Sequence, residues 1–140
     1  MLHSFAGGTD GSNPQADLFR KGDSFYGTTP VSGAYNSGTL FRLQMTATTT
    51  TLSSSPNPSA QGQAVAFTAT VSSKTGAPPD GELVSFMRGK TVLGTGTLSG
   101  GSATFTTSIL KVGTTTVKAV YGGDSNFVGS TSKALKQVVQ

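Results

Sequence analysis

Between residues 62 and 139 the chain repeatedly alternates apolar with polar side chains in short runs, and this period of two constrains the fold more than any other feature. Val65-Ala66-Phe67-Thr68-Ala69-Thr70-Val71, Ala103-Thr104-Phe105-Thr106-Thr107 and Val117-Lys118-Ala119-Val120-Tyr121 are three such runs. Side chains two apart share one face of an extended strand, so each run predicts a strand with one buried and one wet face. Gly, Pro and Asn separate the runs, which points to an all-β antiparallel sandwich. Seven strands are expected, near 47–54, 64–73, 82–88, 91–98, 102–110, 115–122 and 131–139. A sandwich hosts many functions, so the architecture alone names no chemistry.

Composition narrows the function classes. Hydrophobic residues make up 34% and charged residues 11%, so the wet faces must be built from Thr, Ser, Gly and Asn. Cys is absent, which removes disulfides and thiolate chemistry. A length of 140 residues allows one domain with a real core plus an appendage. The formal charge of +4 comes from Lys and Arg scattered singly, apart from Arg20-Lys21. No basic stripe interleaved with aromatics is present, so nucleic-acid binding is not expected. No apolar run approaches membrane-spanning length and no charged-then-apolar leader opens the chain, so membrane insertion is not expected either. The opening Met1-Leu2-His3-Ser4-Phe5 reads as the interior of a longer exported protein, extracellular or on the cell surface.

Residues 1–45 follow a different grammar from the sandwich at 46–140. Gly7-Gly8-Thr9-Asp10-Gly11-Ser12-Asn13-Pro14 and Gly33-Ala34-Tyr35-Asn36-Ser37-Gly38 are turn clusters, and short strands are expected at 2–5, 24–28 and 39–43. Three short strands with so few apolar residues cannot bury a core of their own. The segment is therefore expected to pack on a neighbour, either the sandwich or another copy of itself.

Two resemblances follow from these residues. Leu2-His3-Ser4-Phe5-Ala6-Gly7-Gly8-Thr9-Asp10-Gly11, then Phe25-Tyr26-Gly27-Thr28-Thr29, then Gly38-Thr39-Leu40-Phe41-Arg42-Leu43 resemble one unit of a propeller-like tandem repeat of bacterial exported proteins. Such arrays need neighbours to bury their faces. Further on stand Thr50-Thr51-Leu52 with Pro56-Asn57-Pro58, Gly62-Gln63 leading into the first run, and Gly94-Thr95-Gly96-Thr97-Leu98. With Ala119-Val120-Tyr121-Gly122-Gly123-Asp124-Ser125-Asn126-Phe127 they make residues 48–139 similar to the bacterial Ig-like repeats found in tandem on surface and secreted proteins. The resemblance implies a seven-stranded Ig-like sandwich, here without the Cys and Trp of antibody domains and with extra Lys at 111, 118, 133 and 136.

Three carboxylates are the candidates for chemistry. Asp80 and Glu82 lie at the connection 74–81, and Asp124 lies in the loop 122–130. Alternating strand direction brings both loops to one end of the sandwich, together with the turn 99–101 and the start of the first strand. Asp10, Asp17 and Asp23 belong to the segment tethered there. Clustered oxygens at loop tips suit Ca²⁺, and a raised-pKa carboxyl facing an ionised one suits glycoside hydrolysis. Turn chemistry explains the same residues with fewer assumptions, since Asp124 can accept backbone N–H groups two residues on and Asp80-Gly81 is a turn dipeptide. His3 is the lone histidine, so no Ser-His-Asp triad or His-rich metal site can be assembled in one chain. Phe25, Tyr26 and Tyr35 are candidate ligand-binding rings, because exposed rings stack on pyranose faces. Their plainer role is to glue the segment to its neighbour, and the lack of Trp weakens the sugar reading.

The expected function is a non-catalytic structural or adhesion module. Its expected partners are other repeats of a parent protein, a cell-surface polysaccharide, or a second copy in a homo-oligomer. A carbohydrate-binding module and a small glycoside hydrolase are the alternatives. No cofactor is expected beyond the Ca²⁺ reading.

Overall fold

The computed structural model describes residues 3–140, which divide into two units between Thr46 and Ala47. The first unit opens with a 3₁₀ turn at Gly8–Asp10 and holds one antiparallel sheet in the order β1 (Phe19–Lys21), β2 (Ser24–Thr29), β3 (Thr39–Gln44). The strand expected at 2–5 begins outside the described residues at Leu2, and His3–Phe5 is not a strand. The first strand is instead Phe19–Lys21, which pairs with β2 across the two-residue turn Gly22-Asp23. Gly22 has φ 59°, the left-handed backbone that such a hairpin turn requires.

The second unit is the sandwich. One sheet runs β4 (Thr48–Ser55), β5 (Val65–Ser73), β8 (Ser102–Thr107). The other contains β7 (Thr91–Thr97), β6 (Leu83–Arg88) and β9 (Gly113–Gly123). Its far edge is shared by β10 (Val128–Thr131) and β11 (Leu135–Val139), which both pair with β9. The single last strand expected at 131–139 is thus divided. Between Thr131↔Val120 and Leu135↔Val117, three residues oppose two, and the Ser132 hydroxyl accepts the Ala119 N–H at 2.9 Å. This is a β-bulge, one extra residue that bends the edge strand.

The alternation expected from the runs produces the core. Val65, Phe67, Ala69, Val71, Phe86, Val117, Ala119 and Tyr121 are buried, with Val84, Leu98, Ala103 and Val139 among them. Phe105 is half-buried; its ring packs on Phe86 at 5.7 Å between centroids. The sheets close differently at their two edges. On one, Gly94 and Gly96 of β7 face β8: a Cβ on Gly94 would enter the Phe105 ring, and one on Gly96 would sit 2.7 Å from the Thr104 carbonyl oxygen. On the other, a polar seam joins β4 to β10 and β11. The Thr48 hydroxyl donates to the Val128 carbonyl at 2.6 Å, and Ser130 Oγ lies 2.7 Å from both the Thr48 and Thr50 hydroxyls.

Gln137, fully buried, anchors the lower part of that seam. It accepts from the Ser54 hydroxyl at 2.6 Å and donates to the Pro56 carbonyl at 3.0 Å. Burying an amide is tolerable only when its polar atoms are satisfied, and here they are.

Candidate functional site

Strand direction gathers the connections after β5, β7 and β9 at one end of the sandwich, beside the start of β4. Asp80 reaches across two of them: its carboxylate accepts the Gly100 N–H at 2.8 Å and the Ser99 hydroxyl at 3.5 Å. Glu82 accepts a hydrogen bond from the hydroxyl of Tyr121, on the neighbouring strand. Asp124 folds its own loop, accepting the N–H groups of Asn126 at 2.7 Å and Phe127 at 2.6 Å. The topology therefore brings the three carboxylates to one end but gives each a different partner. Among the described residues no three His, Cys, Asp or Glu gather as metal ligands.

The electrostatic consequence falls on Tyr121. Burial pushes its phenol well above the ordinary tyrosine range, and the hydrogen bond to Glu82 and the charges of Glu82 and Asp124 add to the rise. The phenol serves as a neutral donor that ties β9 to the loop before β6.

In the first unit, register sorts side chains onto two faces. Phe19 pairs with Tyr26, and Tyr26 pairs with Arg42 across the sheet. Directly paired residues share a face, so these three form one row, with Thr28 and Leu40 beside it. Phe25 lies on the opposite face, where the Arg20 guanidinium sits 5.6 Å from its ring centre and Phe5 packs on Phe41 at 4.7 Å. Tyr35 stands apart on the β2–β3 loop, 92% exposed. Of the three rings proposed as ligand contacts, Tyr26 alone lies on the open face.

An open groove of about 260 Å³ runs over that face, lined by Ala16, Asp17, Phe19, Tyr26, Thr28 and Leu40. Phe19 and Leu40 are 66% and 77% exposed. Phe19 was missed by sequence reasoning; the signal was Gly22-Asp23 between two short runs, which marks a hairpin and pairs Phe19 with Tyr26. On the covered side, His3 Nε2 lies 3.0 Å from Asp10 Oδ1. The Ala6 N–H, then His3, hold the Asp10 carboxyl below its ordinary value.

Two packed antiparallel sheets joined in this order define an Ig-like sandwich. A family model described as Bacterial Ig-like domain (group 3) matches residues 50–140, and the chain belongs to that family. A comparison with curated proteins finds no match. Domains of this family commonly occur in extracellular or surface proteins, and no helix of the described residues is long and apolar enough to cross a membrane. The family match does not reach residues 2–43, so the repeat-unit resemblance there is unsupported. Among the described residues their sheet has three strands, one fewer than a propeller blade.

Proposed function

We propose that the chain is a non-catalytic structural and adhesion module of an exported bacterial protein, with the Ig-like sandwich as its rigid part. The observation carrying this reading is the fate of the loop carboxylates. Asp80 is held by the turn after β7, Glu82 by Tyr121 and Asp124 by its own loop. Hydrolysis calls for two carboxyls facing each other across a substrate, and Ca²⁺ calls for oxygens converging on one point. In this reading all three acids shape loops. The test is a screen of the full chain on soluble and insoluble polysaccharides, with and without Ca²⁺. No turnover and no Ca²⁺-dependent rise in melting temperature are expected. Turnover lost on Glu82→Gln or Asp124→Asn would sink the proposal.

A second reading has its own observation: the Phe19–Tyr26–Arg42 row beside an open groove. Exposed rings flanked by hydrogen-bonding groups suit a sugar face. On this reading the adhesion function lies in the first sheet and its ligand is a cell-surface polysaccharide. Retention in a polysaccharide-loaded gel, abolished by Phe19→Ala and Tyr26→Ala but not by Tyr35→Ala, is the expected pattern. Retention that survives the first two substitutions would remove the groove from consideration.

A further inference from the structure

The acids of the sandwich are gathered at one end, and most of its bases lie away from them. Residues 47–140 carry seven Lys and Arg against three Asp and Glu, which accounts for the whole net charge of +4. All three acids lie at the end described above, with Lys74 as the one base beside them. The opposite end holds Arg88 and Lys90 at the β6–β7 turn and Lys111 in the β8–β9 connection. Lys136, paired with Thr116, lies nearer this end, while Lys118, paired with Met87, and Lys133, in the bulge opposite it, stand midway along the sheet. Lys118 and Lys136 are diagonal neighbours on one face, since Lys136 pairs with Thr116, two residues from Lys118. All six of these cations are exposed, and the one ion pair among the described residues is His3–Asp10.

Apolar side chains stand among these cations. In the β8–β9 connection Leu110 turns into the core and pins the loop, while Ile109 and Val112 on either side are 86% and 59% exposed. Lys111 lies between them. A soluble polyanion would use the lysines and leave Ile109 and Val112 without a role. Nucleic acid would lack a stacking ring, since no exposed aromatic stands at this end. An interface that is anionic outside and apolar a few ångströms deeper engages both kinds of side chain.

We propose that this end of the sandwich docks peripherally on an anionic phospholipid surface. Ile109 and Val112 enter the boundary between headgroups and acyl chains, and the surrounding Lys and Arg meet the lipid phosphates. The absence of a spanning-length apolar run in the sequence bears only on crossing a bilayer, whereas peripheral docking needs no such run.

The test uses the full chain and vesicles of phosphatidylcholine, with and without phosphatidylglycerol, at low salt. Sedimentation with the anionic vesicles only, reversed by added salt, is expected. Each of Arg88→Gln, Lys90→Gln and Lys111→Gln should weaken binding about fivefold. The double variant Ile109→Ser/Val112→Ser should weaken it about tenfold or more with an unchanged melting temperature, because both side chains are already exposed. The chain has no Trp, so Ile109→Trp supplies a single reporter whose emission should shift to the blue on anionic vesicles. Three results would each overturn the proposal: no sedimentation with anionic vesicles, sedimentation indifferent to Ile109→Ser/Val112→Ser, or binding to soluble polyglutamate without binding to vesicles.

Discussion

The two units solve the burial problem with opposite success. In the sandwich, each alternating run meets a second sheet, and its inward side chains lose almost all contact with water. In the first unit no apolar side chain among the described residues is buried; the buried positions there are Gly11, Ser24, Gly27 and Thr29. Phe5, Leu18 and Phe41 cover one face of its sheet only in part, and Phe19 and Leu40 are left open on the other. The charge differs as well. Residues 1–46 carry three bases and three acids, whereas the sandwich carries the entire excess. Period-two patterning becomes a core only where a second layer exists to receive it.

The sharpest way to break this comparison is to truncate matching rings. Phe86→Ala, in the centre of the core, should cost about 3–5 kcal/mol in a denaturant titration. Phe41→Ala in the first sheet should cost about 1 kcal/mol or less, since its ring is only half-buried. Equal losses would mean that the first unit has a core of its own. Next in size are the two seams of the sandwich. Gly94→Ala pushes a methyl into the Phe105 ring and should cost about 1–3 kcal/mol. Gln137→Leu strands the Pro56 carbonyl and the Ser54 and Ser59 hydroxyls and should cost a similar ~1–3 kcal/mol. A neutral result at either position would show that the seam relaxes freely.

The pH responses should be smaller and of opposite sign. The folded phenol of Tyr121 stays protonated at a pH where the unfolded one, with a pKa of about 10, ionises. Its stabilising effect is therefore complete below about pH 10 and lost as pH rises beyond it. Alkaline denaturation monitored by circular dichroism should show that slope, and Tyr121→Phe should flatten it. Asp10 has a depressed folded pKa, so its contribution is present above the ordinary carboxylate range and fades as pH falls through it. That group is exposed and lies in the first unit, so Asp10→Asn should leave the sandwich's melting temperature within experimental error.

The buried face of each run was legible because a strand's alternation is local: Val65, Phe67, Ala69 and Val71 declare one face without reference to any partner. Sandwich class and loop ends followed from the same periodicity plus strand alternation. Other features were invisible because they depend on what lies opposite. The split of the last strand arises where residues 132–134 meet 118–119, a mismatch no single segment announces. Phe19 became a candidate only when pairing set it beside Tyr26 on the open face, while Phe25, adjacent in sequence to Tyr26, went to the other side. Asp80, Glu82 and Asp124 could be placed at one end from the chain alone. Which donor each would meet, and so whether they would act as a cluster or as three separate braces, was decided by distances of a few ångströms between strands far apart in sequence. The placing of Arg88, Lys90 and Lys111 away from the acids has the same origin. Residues as distant as 88 and 111 share an end only because the strands between them reverse direction.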